Sequence, residues 1–337
     1  MNIEQLSLAI EQNITPWDDI RECTEKYSRT TLKSTNPQDL AAEMFSAALG
    51  KAISGKSITT DQSSISVYYL EGMIFVKIDI WEHIAGYPKH KGAAIFTSED
   101  GETFTKTLAV KKHLSLQFLN NRFIINDHDG LYYSKSGYNW DYVSSDDISE
   151  DCSYLRDVTH DGKKYVVLFD DSDDNQYIAV AKKIKSSWEA IELDVDDECS
   201  TIAFSNDTYY LEGENEDGTC VVYTSDDAEY WFQADEDDAS DPDDVEIGDW
   251  FIEEDEDDDN LYLSRKRAEY DPHRIYDENI FFFVEKENEI WAKQLPKGKK
   301  YKIADAPFDV TAMFFHNEKL LLFGTHLEYA VAEVISE

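Results

Sequence analysis

Carboxylates are the residues here best placed to do chemistry, and their number is the first difficulty. The 337-residue chain holds 71 Asp and Glu against 31 Lys and Arg, a formal net charge of −40. Two facing carboxylates would suit glycoside hydrolysis, but acids are so abundant that no single pair stands out. The runs Asp170–Asp174 and Glu253–Asp259 are oxygen-rich and could hold Ca²⁺ weakly. Neither has the alternating Asp spacing, the glycine and the distal Glu of a dedicated calcium loop. They read as solvated loops, and no metal or cofactor is expected. The eight His residues form no HExxH pair, and there is neither a phosphate-cradling glycine loop nor a nucleophile elbow. Cys23, Cys152, Cys199 and Cys220 lie far apart with no CxxC pair, so they read as free thiols of a reducing compartment. Met1 through Glu25 contains no apolar run behind a basic cluster, and no stretch reaches the length of a membrane span. A cytoplasmic location is the expectation.

The charge is concentrated. Residues 141–260 hold 41 acidic residues and six basic ones, and no Lys or Arg occurs between Lys185 and Arg265. The remaining 217 residues are close to neutral, which fits halophilic adaptation poorly. A nucleic-acid partner is disfavoured, because phosphate binding needs Lys and Arg to displace counterions. An anionic membrane surface is disfavoured on the same electrostatic ground. Hydrophobic residues make up 42% of the chain and aromatics 13%, enough for a sizeable core and too much for a disordered acidic chain. What such a local field does favour is capture of an oppositely charged partner.

Two kinds of segment must position these residues. Residues 1–56 read as a short helical region. Ile3, Leu6 and Ile10 fall at helical spacing across Asn2–Asn13, and Thr15-Pro16 and Asn36-Pro37 look like helix starts. Residues 57–337 read as strands and turns. An apolar strand, a tight Asn/Asp/Gly turn and a second apolar strand recur seven times, with turns at Glu71-Gly72, Asn120-Asn121, Asp161-Gly162, Asn206-Asp207, Gly248-Asp249, Asp277-Glu278 and Asn317-Glu318. After several of these hairpins a third strand leads to Ser98-Glu-Asp100-Gly101-Glu-Thr-Phe104. The signature returns as Ser134-Lys-Ser136-Gly137-Tyr-Asn-Trp140 and as Ser225-Asp-Asp227-Ala228-Glu-Tyr-Trp231, with a degraded copy from Ser264 to Tyr270. Ser98, Ser134, Ala181, Ser225 and Ser264 are 36, 47, 44 and 39 residues apart. Four strands in about 40 residues is the period of a propeller blade. The expected fold is mainly β, a β-propeller of seven blades, six being the other count, behind a short N-terminal helical segment.

The Ser-x-Asp-Gly-x-x-aromatic element resembles the Asp-box, or bacterial-neuraminidase repeat, of sialidase-like propellers, over roughly residues 66–335. Ser136 stands where that motif has Asp and Ala228 where it has Gly, and the copies are one residue short. The resemblance implies a fold and says little of activity. A sialidase would need an arginine triad, and the chain has seven Arg, none of them in the first propeller unit and two in the helical region; the Phe-Arg-Ile-Pro element is missing. The chain is therefore read as not an enzyme, with no catalytic residues. The expected role is an acidic inhibitor or immunity-type protein, a monomer when free. It would neutralise a basic, nucleic-acid-directed toxin or nuclease by placing carboxylates where phosphates would sit. The expected contact residues are Asp235, Glu236, Asp237, Asp238, Asp243, Asp244, Glu253, Glu254, Asp255, Glu256, Asp257, Asp258 and Asp259, with Trp250 as an aromatic anchor. The competing readings are a sialidase-like glycosidase or glycan-binding module and a scaffold with several partners.

Overall fold

The computed structural model describes residues 6–12, 63–84, 87–110, 115–235, 238–254, 260–269, 271–324 and 328–336. They are mainly β: six four-stranded antiparallel sheets and one two-stranded sheet, in chain order. The first holds β2 (Ser63–Leu70), β3 (Met73–Ile84), β4 (Tyr87–Ser98) and β5 (Thr105–Val110). The second holds β6 (Ser115–Leu119), β7 (Arg122–Asn126), β8 (Gly130–Ser134) and β9 (Asp141–Ser144). The third holds β10 (Tyr154–His160), β11 (Tyr165–Asp170), β12 (Gln176–Ala181) and β13 (Glu189–Glu192). The fourth holds β14 (Glu198–Ser205), β15 (Thr208–Glu214), β16 (Cys220–Ser225) and β17 (Phe232–Gln233). The fifth has only β18 (Trp250–Glu254) and β19 (Leu261–Arg265). The sixth holds β20 (Ile275–Tyr276), β21 (Ile280–Glu285), β22 (Glu289–Gln294) and β23 (Lys300–Asp305). The last holds β24 (Val310–His316), β25 (Lys319–Gly324) and β26 (Tyr329–Ser336), and β1 (Leu6–Gln12) completes it by pairing antiparallel with β26.

The strand β1 corrects the expected helix over Asn2–Asn13. Leu6, Leu8 and Ile10 alternate with Ser7, Ala9 and Glu11, so the same residues also carry a strand period. The free edge of β26 offers seven consecutive partners, from Leu6 opposite Ser336 to Gln12 opposite Ala330, and this tertiary pairing overrides the local preference. The other expected helices lie outside the described residues.

Six of the seven expected hairpins form. Asn120 and Asn121 both take positive φ, as do Asn206 with Asp207 and Asn317 with Glu318, the backbone of a two-residue turn whose twist matches its strands. The turn at Gly248-Asp249 is the exception. Residues 245–249 are not a strand, so only the second arm of the expected hairpin, β18, is present. The irregular sequence of that unit thus corresponds to the two-stranded sheet.

The chain divides into two compact units, residues 1–113 with 270–337, and residues 114–269. In each, apolar cores lie between the faces of successive sheets. In the second unit Leu131, Tyr133, Leu155, Val167 and Phe169 form one such core, and Leu168, Ile178, Tyr209, Leu211 and Tyr223 another. The aromatics after the Ser98 and Ser225 turns pack into these layers: Phe104 is 1% exposed and Trp231 lies against its neighbouring core, as does Trp188 in the unit that has Ala181 in place of the Ser.

The Ser turns are locked as their chemistry suggests. Ser98 Oγ accepts from the Gly101 N–H at 2.9 Å, and Asp100 Oδ1 accepts from the Glu102 and Thr103 N–H groups at 2.8 and 2.7 Å. Ser225 Oγ likewise accepts from the Ala228 N–H at 2.9 Å, and Asp227 Oδ1 from Glu229 and Tyr230 at 2.8 and 3.0 Å. Gly101 has φ +72°, and a Cβ there would meet Leu321 Cδ1 at 2.5 Å. Ala228 holds the same conformation at φ +65°, which a side chain adopts only at a cost of about 1–2 kcal/mol. Ser225→Ala should therefore destabilise by about 1–2 kcal/mol through an orphaned buried N–H. Ala228→Gly should stabilise by up to about 1 kcal/mol. Urea melts of the two variants check both signs.

Candidate interaction surface

The meander fixes where every turn falls. Within a sheet, first-to-second and third-to-fourth strand turns share one end. Second-to-third turns and the links to the next sheet share the opposite end. In the 114–269 unit these ends also coincide from sheet to sheet. At one end the Lys164 ammonium donates to the Asp227 carbonyl at 2.7 Å and the Tyr209 hydroxyl to Asp161 at 2.5 Å, joining turns of the third and fourth sheets. At the other, the Asn126 amide donates to the Arg156 carbonyl at 2.8 Å and Arg156 to Glu198 at 2.7 Å.

The bases of this unit gather at the first end, among Asp141, Asp161, Glu189, Asp207, Asp226, Asp227, Glu229, Glu246 and Asp249, so that end is mixed in charge while the second is acidic. Arg122, Lys135, Lys163, Lys164, Lys182, Lys183, Lys185, Arg265, Lys266 and Arg267 all lie in, or next to, turns of the first end. At the second end Arg156 is the one base among the described residues. The connections there are acidic throughout: Asp127 and Asp129 between β7 and β8; Asp146, Asp147, Glu150 and Asp151 between β9 and β10; Asp171, Asp173 and Asp174 between β11 and β12. Asp194, Asp196 and Asp197 follow between β13 and β14, and Glu216 and Asp217 between β15 and β16.

Local bonding shapes these loops. Asp171 Oδ1 accepts from the Asp173 and Asn175 N–H groups at 2.8 and 2.9 Å, which closes the β11–β12 turn and keeps its carboxyl below the usual range, the Asn175 side chain contributing most. The β9–β10 link contains a short helix, α1 (Ser145–Ile148), capped reciprocally by Ser144 and Asp147. The Tyr223 hydroxyl donates to Asp197 at 2.5 Å; burial, and then that carboxylate, push the phenol pKa up. Tyr142 and Tyr154, 43% and 39% exposed, stand at the same end. The His128 ring stacks on Tyr154 at 4.3 Å. Burial raises the thiol pKa of Cys152 and Cys199 to about 12, leaving both as inert thiols.

The expected contact residues separate. Asp235 and Asp238 are exposed and close a turn after β17, the Asp235 N–H donating to Asp238 Oδ2 at 3.0 Å. Glu253 and Glu254 are exposed at the end of β18, on the acidic side. Asp243 and Asp244 belong to a 3₁₀ turn, Pro242–Asp244, on the segment returning beside β18 toward the first end. Trp250 lies at that first end, half-buried against the Ala203–Ile252–Leu263 core, its ring 5.9 Å from the Arg265 guanidinium. Glu236, Asp237, Asp255, Glu256, Asp257, Asp258 and Asp259 lie outside the described residues. The residues missed from sequence are those of the β7–β8 and β9–β10 connections. The signal was available: every even-numbered connection in the repeat falls at the same end.

No family model matches this chain, and neither does any curated protein. Solved structures with a similar fold include the β-propeller domain of the Trilobed protease from Pyrococcus furiosus, at 9% identity over 82% of this chain and 95% of that one, TM-score 0.41. Another is the Penicillium chrysogenum α-L-arabinanase, complexed with arabinobiose, at 12% identity over 82% and 94%, TM-score 0.35. A third is the Trypanosoma rangeli sialidase, at 11% identity over 81% and 54%, TM-score 0.36. At this identity the likeness concerns the fold. The expectation that the chain is not an enzyme is corrected at this point, because the arabinanase and the sialidase are enzymes built on similar architecture. Among the described residues no helix is long and apolar enough to cross a membrane.

Proposed function

We propose that the acidic end of the 114–269 unit is a recognition surface for a basic protein. The observation that carries this is the distribution of the bases: ten lie at one end, among a similar number of carboxylates, and Arg156 is alone among the carboxylates of the other. Crowded like charges destabilise a fold, and solubility does not require them to share one end. The framework we propose is a seven-bladed propeller, supported by seven successive sheets and by β1, which completes the last of them from the other end of the chain. The narrower role is the inhibitor or immunity-type one, with a toxin or nuclease as target, neither nucleic acid nor membrane as partner, and a cytoplasmic monomer as the free form. The similar structures named above lend that narrower role nothing.

Capture from native extract at low and high salt tests the reading. A basic protein should be recovered at low salt, with an on-rate falling at least tenfold as surface charges are screened. Neutralising Asp171, Asp173, Asp194 and Asp196 to Asn should slow association about tenfold, while Lys163→Gln with Lys182→Gln should leave it unchanged. Equal effects from the two ends would overturn the proposal. A second reading, a sialidase-like glycoside hydrolase or glycan-binding module, draws on Tyr142 and Tyr154, exposed aromatics beside carboxylates at the same end. Glycan-array signals lost in Tyr142→Ala would favour it.

A further inference from the structure

The two-stranded sheet leaves an edge. Among the described residues no strand pairs with the outer side of β19. The register decides which backbone groups face that way. The Lys266 N–H bonds the Asp249 carbonyl, and the Ile252 carbonyl turns away from β19 to accept from Ser240. Tyr262 and Ser264 therefore bond inward to β18, while Leu261, Leu263 and Arg265 turn their N–H and C=O groups outward. Glu212 of β15 takes the outward Leu263 N–H at 2.9 Å, so a side-chain carboxylate stands where a strand carbonyl would.

The neighbouring sheet is bare at the matching place. On β17, Ala234 just beyond the strand packs under β18 and β19 with Ile252, Leu261 and Leu263. Phe232, two residues earlier on the same face, is 70% exposed, and so is Tyr230. A further strand beside β19 would cover both rings. Trp231, on the opposite face, is packed against the inner core. Exposed aromatics next to an open strand edge are the parts of a strand-addition site.

We infer that the outer edge of β19 seats an extended segment of the partner, added as a strand; this rests on the proposed recognition of a basic protein. Alternate side chains of the segment are apolar and cover Phe232 and Tyr230. Its Lys or Arg residues lie toward Glu212, Glu253, Asp235 and Asp238. Arg265, Lys266 and Arg267 mark the other end of the edge, where the segment is neutral or acidic.

The test uses the full chain and two labelled probes, a peptide of alternating Lys and Val and an oligolysine of equal charge. The alternating peptide should bind more tightly than oligolysine and slow exchange of the Leu261 and Arg265 amides at least tenfold. Phe232→Ser with Tyr230→Ser, both on exposed positions, should weaken the alternating peptide about tenfold and leave oligolysine unchanged. Affinity for the alternating peptide unmoved by those substitutions would overturn the inference. So would slow exchange of both amides in the free chain, since the edge would then be covered already. Failure of oligolysine to respond to the Asn substitutions at the acidic end would instead count against the recognition surface itself, so the two ideas fail separately.

Discussion

Arg156→Ala is expected to lower the stability of the 114–269 unit by about 3–5 kcal/mol, the usual cost of leaving a buried charge without its partner. The guanidinium is 18% exposed and its Nε lies 2.7 Å from both oxygens of Asp170, whose side chain is 6% exposed. Its Nη2 reaches Glu198 at 2.7 Å, on the first strand of the next sheet. Gln176 adds only a 3.2 Å contact to the same Asp170 oxygen, since its amide is committed to the Cys199 backbone at 2.8 and 2.7 Å. Without Arg156, the Asp170 carboxylate loses its bidentate partner in a site it shares with other carboxylates. Asp170→Asn in the Arg156→Ala background should recover about half of the loss, because the orphan then carries no charge. Glu198 contributes less, being 70% exposed and screened by water. Urea denaturation of the single and double variants decides it, and a single-variant loss under about 1 kcal/mol would show that water reaches Asp170 instead.

Such a network could not be read from the chain. The strands could, because period-2 alternation and paired turn residues are local signals, and Asn120-Asn121 or Asn206-Asp207 specify a hairpin wherever they occur. The Ser98, Ser134 and Ser225 turns were equally legible, since their hydrogen bonds span three residues. Leu6–Gln12 was not, because its partner lies some 320 residues away and its side-chain pattern serves a helix as well as a strand. The surface shows the same division. The acidic runs were plain, but Trp250 was placed with them on sequence proximity alone. In the fold it sits at the opposite end, where the bases gather, because one strand of five residues separates the two ends. Arg156 and Asp157 are adjacent in sequence, and nothing local says that one will clamp a buried carboxylate while the other is itself enclosed.

Asp157 should make the fold less stable at neutral pH than at mildly acid pH, and Asp157→Asn should remove that loss. The β10 ladder shifts register between Leu155 and Asp157, and the bulge sends the carboxylate between three first strands. Gln117 of β6 donates to it at 2.9 Å and the Ile202 N–H of β14 at 3.1 Å. Burial nevertheless dominates and raises the carboxyl pKa to about 6, the Val158, Ile202 and Gln117 bonds offsetting only part of it. In the unfolded chain the same group titrates near 3.9. Between those values the folded state holds the extra proton, so stability is full below about pH 4 and falls as pH rises to about 6. Two units correspond to about 3 kcal/mol at most, and water relaxing around the site will lower that figure. Repulsion among the 71 acidic residues works in the same direction, so the parent profile alone does not isolate Asp157. The difference between parent and variant does. Asn keeps one oxygen, with two lone pairs, for the Ile202 and Val158 N–H groups, and a rotated Gln117 amide can accept from its NH₂. The variant should gain about 1–3 kcal/mol at pH 7.5, and nothing or a slight loss at pH 4.5. A variant that is less stable than the parent at pH 7.5, with a parallel pH profile, would mean that the ionised carboxylate is the acceptor that joins the three strands.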